Sequence, residues 1–125
     1  MRVLFLIFLG GGLGSVFRFL ISVFTRQWLI FGAFPTGTFL VNLLGCFFMG
    51  GFSFYFLKSD TPLKYLFLAG FCGGFTTFSA FSLEGYTLWQ SREYIVLGSY
   101  VFLSIALGFL AVYAGMQSAK SIFSI

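Results

Sequence analysis

Gly70-Phe71-Cys72-Gly73-Gly74-Phe75-Thr76-Thr77-Phe78-Ser79-Ala80-Phe81 decides how this chain folds. The stretch lies inside an apolar segment long enough to cross a bilayer, yet it is a poor helix. Gly73 and Gly74 each cost roughly 1 kcal/mol against alanine in a helix interior. Thr76 and Thr77 are β-branched, and Phe75, Phe78 and Phe81 lose rotamer freedom against the preceding turn. A membrane helix expected to break here frees amides and carbonyls that hydrocarbon cannot satisfy, so protein, water or an ion must. Discontinuous membrane helices mark ion sites, and ion transport is the first functional expectation.

Working outward, the 125 residues are 59% hydrophobic and 8% charged, with a mean hydropathy of +1.02. Soluble domains carry about 25% charged residues, so the chain is expected to be embedded in a lipid bilayer. Hydropathy and turn signals predict an all-α membrane protein with one domain of four spans, over residues 3–24, 35–57, 63–89 and 93–117. Thr25-Arg26-Gln27-Trp28 reads as an interfacial end, Pro35 as a first-turn residue, and Asp60 or Thr61 with Pro62 as a cap and helix start. Ser91 reads as a cap for the fourth span. The third span exceeds the ~20 residues of a straight crossing, which agrees with a helix broken near its middle. The opening residues imitate a signal peptide, but the apolar pattern runs on to Phe24, a full span.

Four spans place both termini on one side. Arg2, Lys58, Lys64 and Lys120 then face Arg18, Arg26 and Arg92 across the membrane. Orientation follows the Lys/Arg asymmetry, and so even a count is compatible with insertion both ways and with antiparallel pairing of two copies. The +4 charge contains no basic run or stripe, so nucleic acid is not an expected partner. Cys46 and Cys72 lack CxxC spacing and read as buried free thiols. Gly10/Gly14, Gly11/Ser15, Ser104/Gly108 and Ala111/Gly115 have the small-xxx-small spacing of close helix packing.

Polar residues inside the spans are the functional candidates. Thr38 and Asn42 share a helix face, as do Tyr100 and Ser104. With Thr76, Thr77 and Ser79 they would make a ladder of donors for an anion stripped of water, although an intramembrane Asn also serves to bond a neighbouring helix. Arg18 either snorkels outward or draws anions to a vestibule; Glu84 is expected at a mouth or beside a basic group. The 21 phenylalanines read either as compositional drift or, in part, as rings facing a pathway. No His occurs, and spans 1 and 2 carry no acidic residue, so the relay of a proton-coupled transporter is not expected. No nucleophile–base pair is legible, and an enzyme is not expected.

Three motifs resemble the Fluc (CrcB) family of fluoride channels: Gly11-Gly12-Leu13-Gly14-Ser15-Val16-Phe17-Arg18, Gly37-Thr38-Phe39-Leu40-Val41-Asn42-Leu43-Leu44-Gly45, and the Gly70–Phe81 stretch. The third is the most specific, and the resemblance covers essentially the whole chain. It implies a passive, selective fluoride channel in the cell inner (plasma) membrane that relieves fluoride toxicity. It also implies an antiparallel, dual-topology homodimer. Phe78 and Phe81 match rings that turn their edges to fluoride, and Asn42 matches a pore asparagine. Thr38, Tyr100 and Ser104 would line the rest of the path, with Thr77 or Ser79 compensating for a shortened track. The backbone carbonyls of Gly73 and Thr76 match positions that hold a structural sodium ion at the dimer two-fold axis. Ala80 stands where the family usually has Thr, and Gly108 where a second hydroxyl would extend the track. Two other classes compete: a small four-span multidrug exporter, disfavoured by the missing carboxylate in span 1, and a non-conducting structural membrane subunit.

Overall fold

The computed structural model describes residues 1–123. Five helical elements follow in order: α1 (Arg2–Trp28), α2 (Thr36–Phe56), α3, α4 (Phe78–Gln90) and α5 (Tyr94–Phe123). α3 opens with wide π-type turns over Tyr65–Cys72 and ends in one α-turn, Gly73–Phe75. Together Tyr65–Gln90 and the other three helices make four segments long and apolar enough to cross a membrane.

α1 continues through the stretch that the sequence reads as an interfacial end. Its last turn is closed by Thr25, whose wholly buried hydroxyl bonds back to Ser22 O at 3.0 Å. Ser91 does not cap the fourth span but closes α4: its amide donates to Thr87 O, and the chain turns at Arg92 with φ 57°. At the start of α3, Thr61 Oγ1 accepts from Leu63 N at 3.4 Å, whereas Asp60 pairs with Lys64 at 3.3 Å.

Packing divides the bundle into two pairs. α1 lies along α3, and α2 along α5. Glycine makes both approaches possible, because lipid tails supply no hydrophobic drive and helices must gain contact area instead. A Cβ on Gly10 would collide with the Leu66 carbonyl, one on Gly14 with the Phe71 carbonyl, and one on Gly74 with the Gly11 carbonyl. Between α2 and α5, Gly50 abuts the Val112 carbonyl and Gly115 the Phe47 carbonyl. These are backbone-to-backbone contacts that no side chain fits between.

The third span changes partner along its length. Its first half, α3, packs on α1; α4 makes no contact with α1 and packs on α5 and the start of α2. The change occurs at Thr76 (φ −83°, ψ 157°) and Thr77 (φ −149°, ψ 110°), both extended. Tyr100, Phe75, Val41 and Cys72 are fully or almost fully buried around this point. Most other large apolar side chains face outward, as lipid contact requires.

Candidate functional site

Two extended residues in mid-span leave backbone groups without helical partners, and the surrounding side chains take some of them up. Asn42, one helical turn beyond Thr38 on α2, brackets the Thr77 peptide. Thr77 N–H donates to Asn42 Oδ1 at 2.8 Å, and Asn42 Nδ2 donates to Thr77 O at 3.2 Å. These partners fix the orientation of the carboxamide, and one of its two amide hydrogens remains unassigned. Thr77 is also the N-cap of α4: its Oγ1 accepts from Ala80 N at 3.2 Å and lies 3.2 Å from Ser79 Oγ. An N-cap threonine satisfies one orphan amide of a first turn.

The same bonds leave two carbonyls without their helical donors. In a continuous helix Thr77 N–H would bond Gly73 O, and Ala80 N–H would bond Thr76 O. Here the first goes to Asn42 and the second to Thr77 Oγ1. Thr76 itself turns its hydroxyl back to Cys72 O at 2.9 Å. Nothing lies within 4 Å of the space a Cβ on Gly73 would take.

A half-open cavity of about 350 Å³ sits against this interruption. Asn42, Thr76, Thr77, Phe78, Phe81 and Ser104 line it. Gly45, Cys46 and Met49 complete the α2 wall; the sequence reading missed them, although they continue the Asn42 face at helical spacing. Ser104 Oγ is buried there and has no hydrogen-bond partner among the described residues. The ring of Phe81 lies between Phe78, at 5.7 Å, and Tyr100, at 5.0 Å, measured between centroids. Phe78 is 79% exposed on the single chain. Every charged side chain is absent from this lining.

Toward the end of the bundle where α2 begins, a second hollow of about 240 Å³ is lined by Arg26, Thr36, Thr38 and Glu84 among others. Glu84 thus sits at a hollow near the end of the bundle, as one of the two sequence expectations had it, and makes no ion pair among the described residues. Thr38 Oγ1 donates to its Oε1 at 2.7 Å and Tyr100 OH to its Oε2 at 2.9 Å. Two hydroxyls thus replace part of the hydration a carboxylate loses in the membrane. Arg18 lines neither hollow. Its Nε is buried on α1 without a partner among the described residues. Of the sequence-derived candidates, Asn42, Thr76, Thr77, Phe78, Phe81 and Ser104 therefore gather at one cavity. Thr38, Tyr100 and Glu84 gather one layer away, and the Ser79 hydroxyl pairs with that of Thr77. A larger hollow of about 720 Å³ between α2, α3 and α5 is lined mainly by rings such as Phe47, Phe52 and Phe67 and lies away from the interruption.

The chain is similar to known proteins over most of its length. Residues 5–116 match the family described as "CrcB-like protein, Camphor Resistance (CrcB)". A protein of Azobacteroides pseudotrichonymphae named "Fluoride-specific ion channel FluC" is 46% identical over 118 residues, covering 92% of this chain and 94% of the relative. Proteins of the same name from Phocaeicola vulgatus and Flavobacterium psychrophilum are 44% and 40% identical. They cover 96% and 98% of this chain and the whole of each relative. With most of its length matched at this level and four membrane-spanning helices, the chain is a multi-pass membrane protein that belongs to the CrcB family.

Proposed function

We propose that this chain forms a passive, fluoride-selective channel in the cell inner (plasma) membrane, through which fluoride leaves the cytoplasm and its toxicity is relieved. The observation that carries the reading is the chemistry of the cavity at Thr76–Thr77. It offers the unpartnered Ser104 hydroxyl, the spare amide hydrogen of Asn42 and the rings of Phe78 and Phe81, with no charged side chain. A bare halide entering hydrocarbon loses tens of kcal/mol of hydration. Neutral donors and the positive rims of aromatic rings replace part of that shell. A lysine or arginine there would bind the anion too tightly to release it. The hydroxyl-bound Glu84 and Arg26 flank the outer hollow, where Arg26 favours anion entry.

The membrane potential supplies the drive, at about 2.3 kcal/mol per charge per 100 mV, so no coupled proton is needed. This fits α1, which carries no carboxylate and so lacks what a proton-coupled multidrug exporter would require.

The channel is read as an antiparallel, dual-topology homodimer. Support comes from the four-to-three split of basic residues and from α4, which packs only on α5 and the start of α2 and leaves Phe78 open. A second copy would close the cavity at that ring. The third span acts in this reading as a broken helix whose function is its interruption. The Gly73 and Thr76 carbonyls, freed of helical donors, suit a hard cation such as sodium at the two-fold axis. When bound there, sodium supplies positive charge that lowers the cost of nearby anions.

The test is fluoride efflux from liposomes holding the purified protein, followed with a fluoride electrode and with chloride as control. Rapid fluoride efflux with little chloride supports the reading. Absence of fluoride flux from correctly folded protein overturns it and leaves a structural subunit, and proton-driven export of organic cations would point to the exporter.

A further inference from the structure

We propose that Asn42 is a positioning residue as well as a cavity residue: its carboxamide, bonded on both sides to the Thr77 peptide, holds the third span open at Thr76–Thr77. The functional consequence rests on the channel reading above; the positioning itself does not.

Asn42 Oδ1 accepts from the Thr77 N–H at 2.8 Å, and Asn42 Nδ2 donates to the Thr77 carbonyl at 3.2 Å. This is the two-point pairing one strand makes with another, supplied here by a side chain 35 residues away. Its acceptor competes directly with Gly73 O, the atom that would receive Thr77 N–H if the helix ran on. Thr77 is 9% exposed, so water is a poor substitute partner, and an unpaired buried amide is costly. Without Asn42, returning to Gly73 O is the cheapest way to satisfy that amide.

Three results follow from one side chain. Thr77 stays extended, which keeps its hydroxyl at the N-cap of α4 and sets the direction in which Phe78 and Phe81 leave the turn. Gly73 O stays free of a helical donor. The carboxamide itself is locked, so its remaining N–H has one fixed aim rather than a range. Asn42 thereby couples the anion cavity to the carbonyl pair on the other side of the interruption. Glycine and threonine content alone weakens the helix here but does not choose which amide goes where.

The experiment measures amide hydrogen exchange and the backbone carbon shifts of Thr77 by NMR. It uses the full-length protein in lipid nanodiscs without fluoride, so the outcome is independent of conduction. In the unaltered protein the Thr77 amide is expected to be protected although its carbon shifts are extended. In Asn42→Ala it should exchange about 10- to 100-fold faster, or take helical carbon shifts as the helix closes on Gly73 O. Unchanged protection and shifts in Asn42→Ala would overturn the proposal, as would an unprotected Thr77 amide in the unaltered protein. A second variant covers the case in which Asn42→Ala fails to fold. Replacing Thr77 by its α-hydroxy acid analogue removes the donated N–H, weakens the Thr76 carbonyl as an acceptor and leaves Asn42 intact, so it is read without sodium and without flux, at the Ala80 amide that the Thr77 hydroxyl caps. Exchange of that amide should rise at least about tenfold, the factor that goes with losing one such bond. Unchanged Ala80 protection would overturn the proposal.

Discussion

Tyr100 on α5 and Glu84 on α4 are joined at 2.9 Å, the wholly buried phenol donating to the carboxylate Oε2. Thr38 on α2 occupies the other oxygen at 2.7 Å. One carboxylate thus ties three helices together beside the second hollow. Tyr100→Phe removes a donor to a charged acceptor and is expected to cost about 1.5–3 kcal/mol of stability. Glu84→Gln should cost less, because the amide oxygen still accepts one bond and the other hydroxyl can turn to accept. Thermal unfolding of the purified variants in detergent ranks the two; the reverse order would mean that the pair is not a structural tie.

Phe78 and Phe81 stand 5.7 Å apart at the cavity. Phe78→Ile and Phe81→Ile keep apolar bulk and discard the ring rim. Each should lower fluoride efflux about tenfold, the factor that matches a lost contact of about 1.5 kcal/mol, with the fold intact by circular dichroism. Undiminished flux in both would remove the rings from the mechanism.

The glycine contacts divide sharply by position. Gly14→Ala and Gly74→Ala place a methyl against the carbonyls of Phe71 and Gly11 and should destabilise by about 1–3 kcal/mol or more, as overpacking does. Gly12→Ala meets nothing within 4 Å and should be neutral or slightly stabilising through helix propensity. Unfolding curves or monodispersity on a sizing column would reveal the difference.

The sodium proposal predicts dependence on the cation rather than on any acidic side chain. Replacing sodium throughout by N-methylglucamine should abolish flux, and restoring sodium should recover it. Full activity in sodium-free solution would dismiss the site.

Antiparallel assembly predicts that a tag after the fourth span is reached by impermeant reagent from both faces of sealed vesicles, in roughly equal amounts. Labelling from one face alone would leave a single orientation.

The number of spans is legible in the sequence, because hydropathy over about 20 residues is a property of a local window. The weakness of the Gly73–Thr77 stretch was legible for a similar reason, since propensities act residue by residue. The i,i+4 spacing put Thr38 with Asn42 and Tyr100 with Ser104, and the structure sets these two faces around α4. The identity of Glu84's partners was not legible. Charge suggested a mouth or a basic partner; Glu84 lines a hollow, and Thr38 and Tyr100 are the side chains that α2 and α5 bring within reach of it. Gly45, Cys46 and Met49 are not legible as cavity wall because nothing polar marks them; Cys46 reads as a buried thiol but is half-buried at the cavity.

Sequence alone therefore determined that this protein lives in a bilayer, crosses it with four apolar segments, and is weakest as a helix between Gly73 and Thr77. Tertiary structure decided which groups answer that weakness: Asn42 takes both sides of the Thr77 peptide, Ala80 N–H goes to the Thr77 hydroxyl, and Ser104 is left unpartnered at the cavity. The reason is that helix propensity and hydropathy are summed along the chain. A hydrogen bond between residues 42 and 77 exists only once α2 and the third span lie side by side.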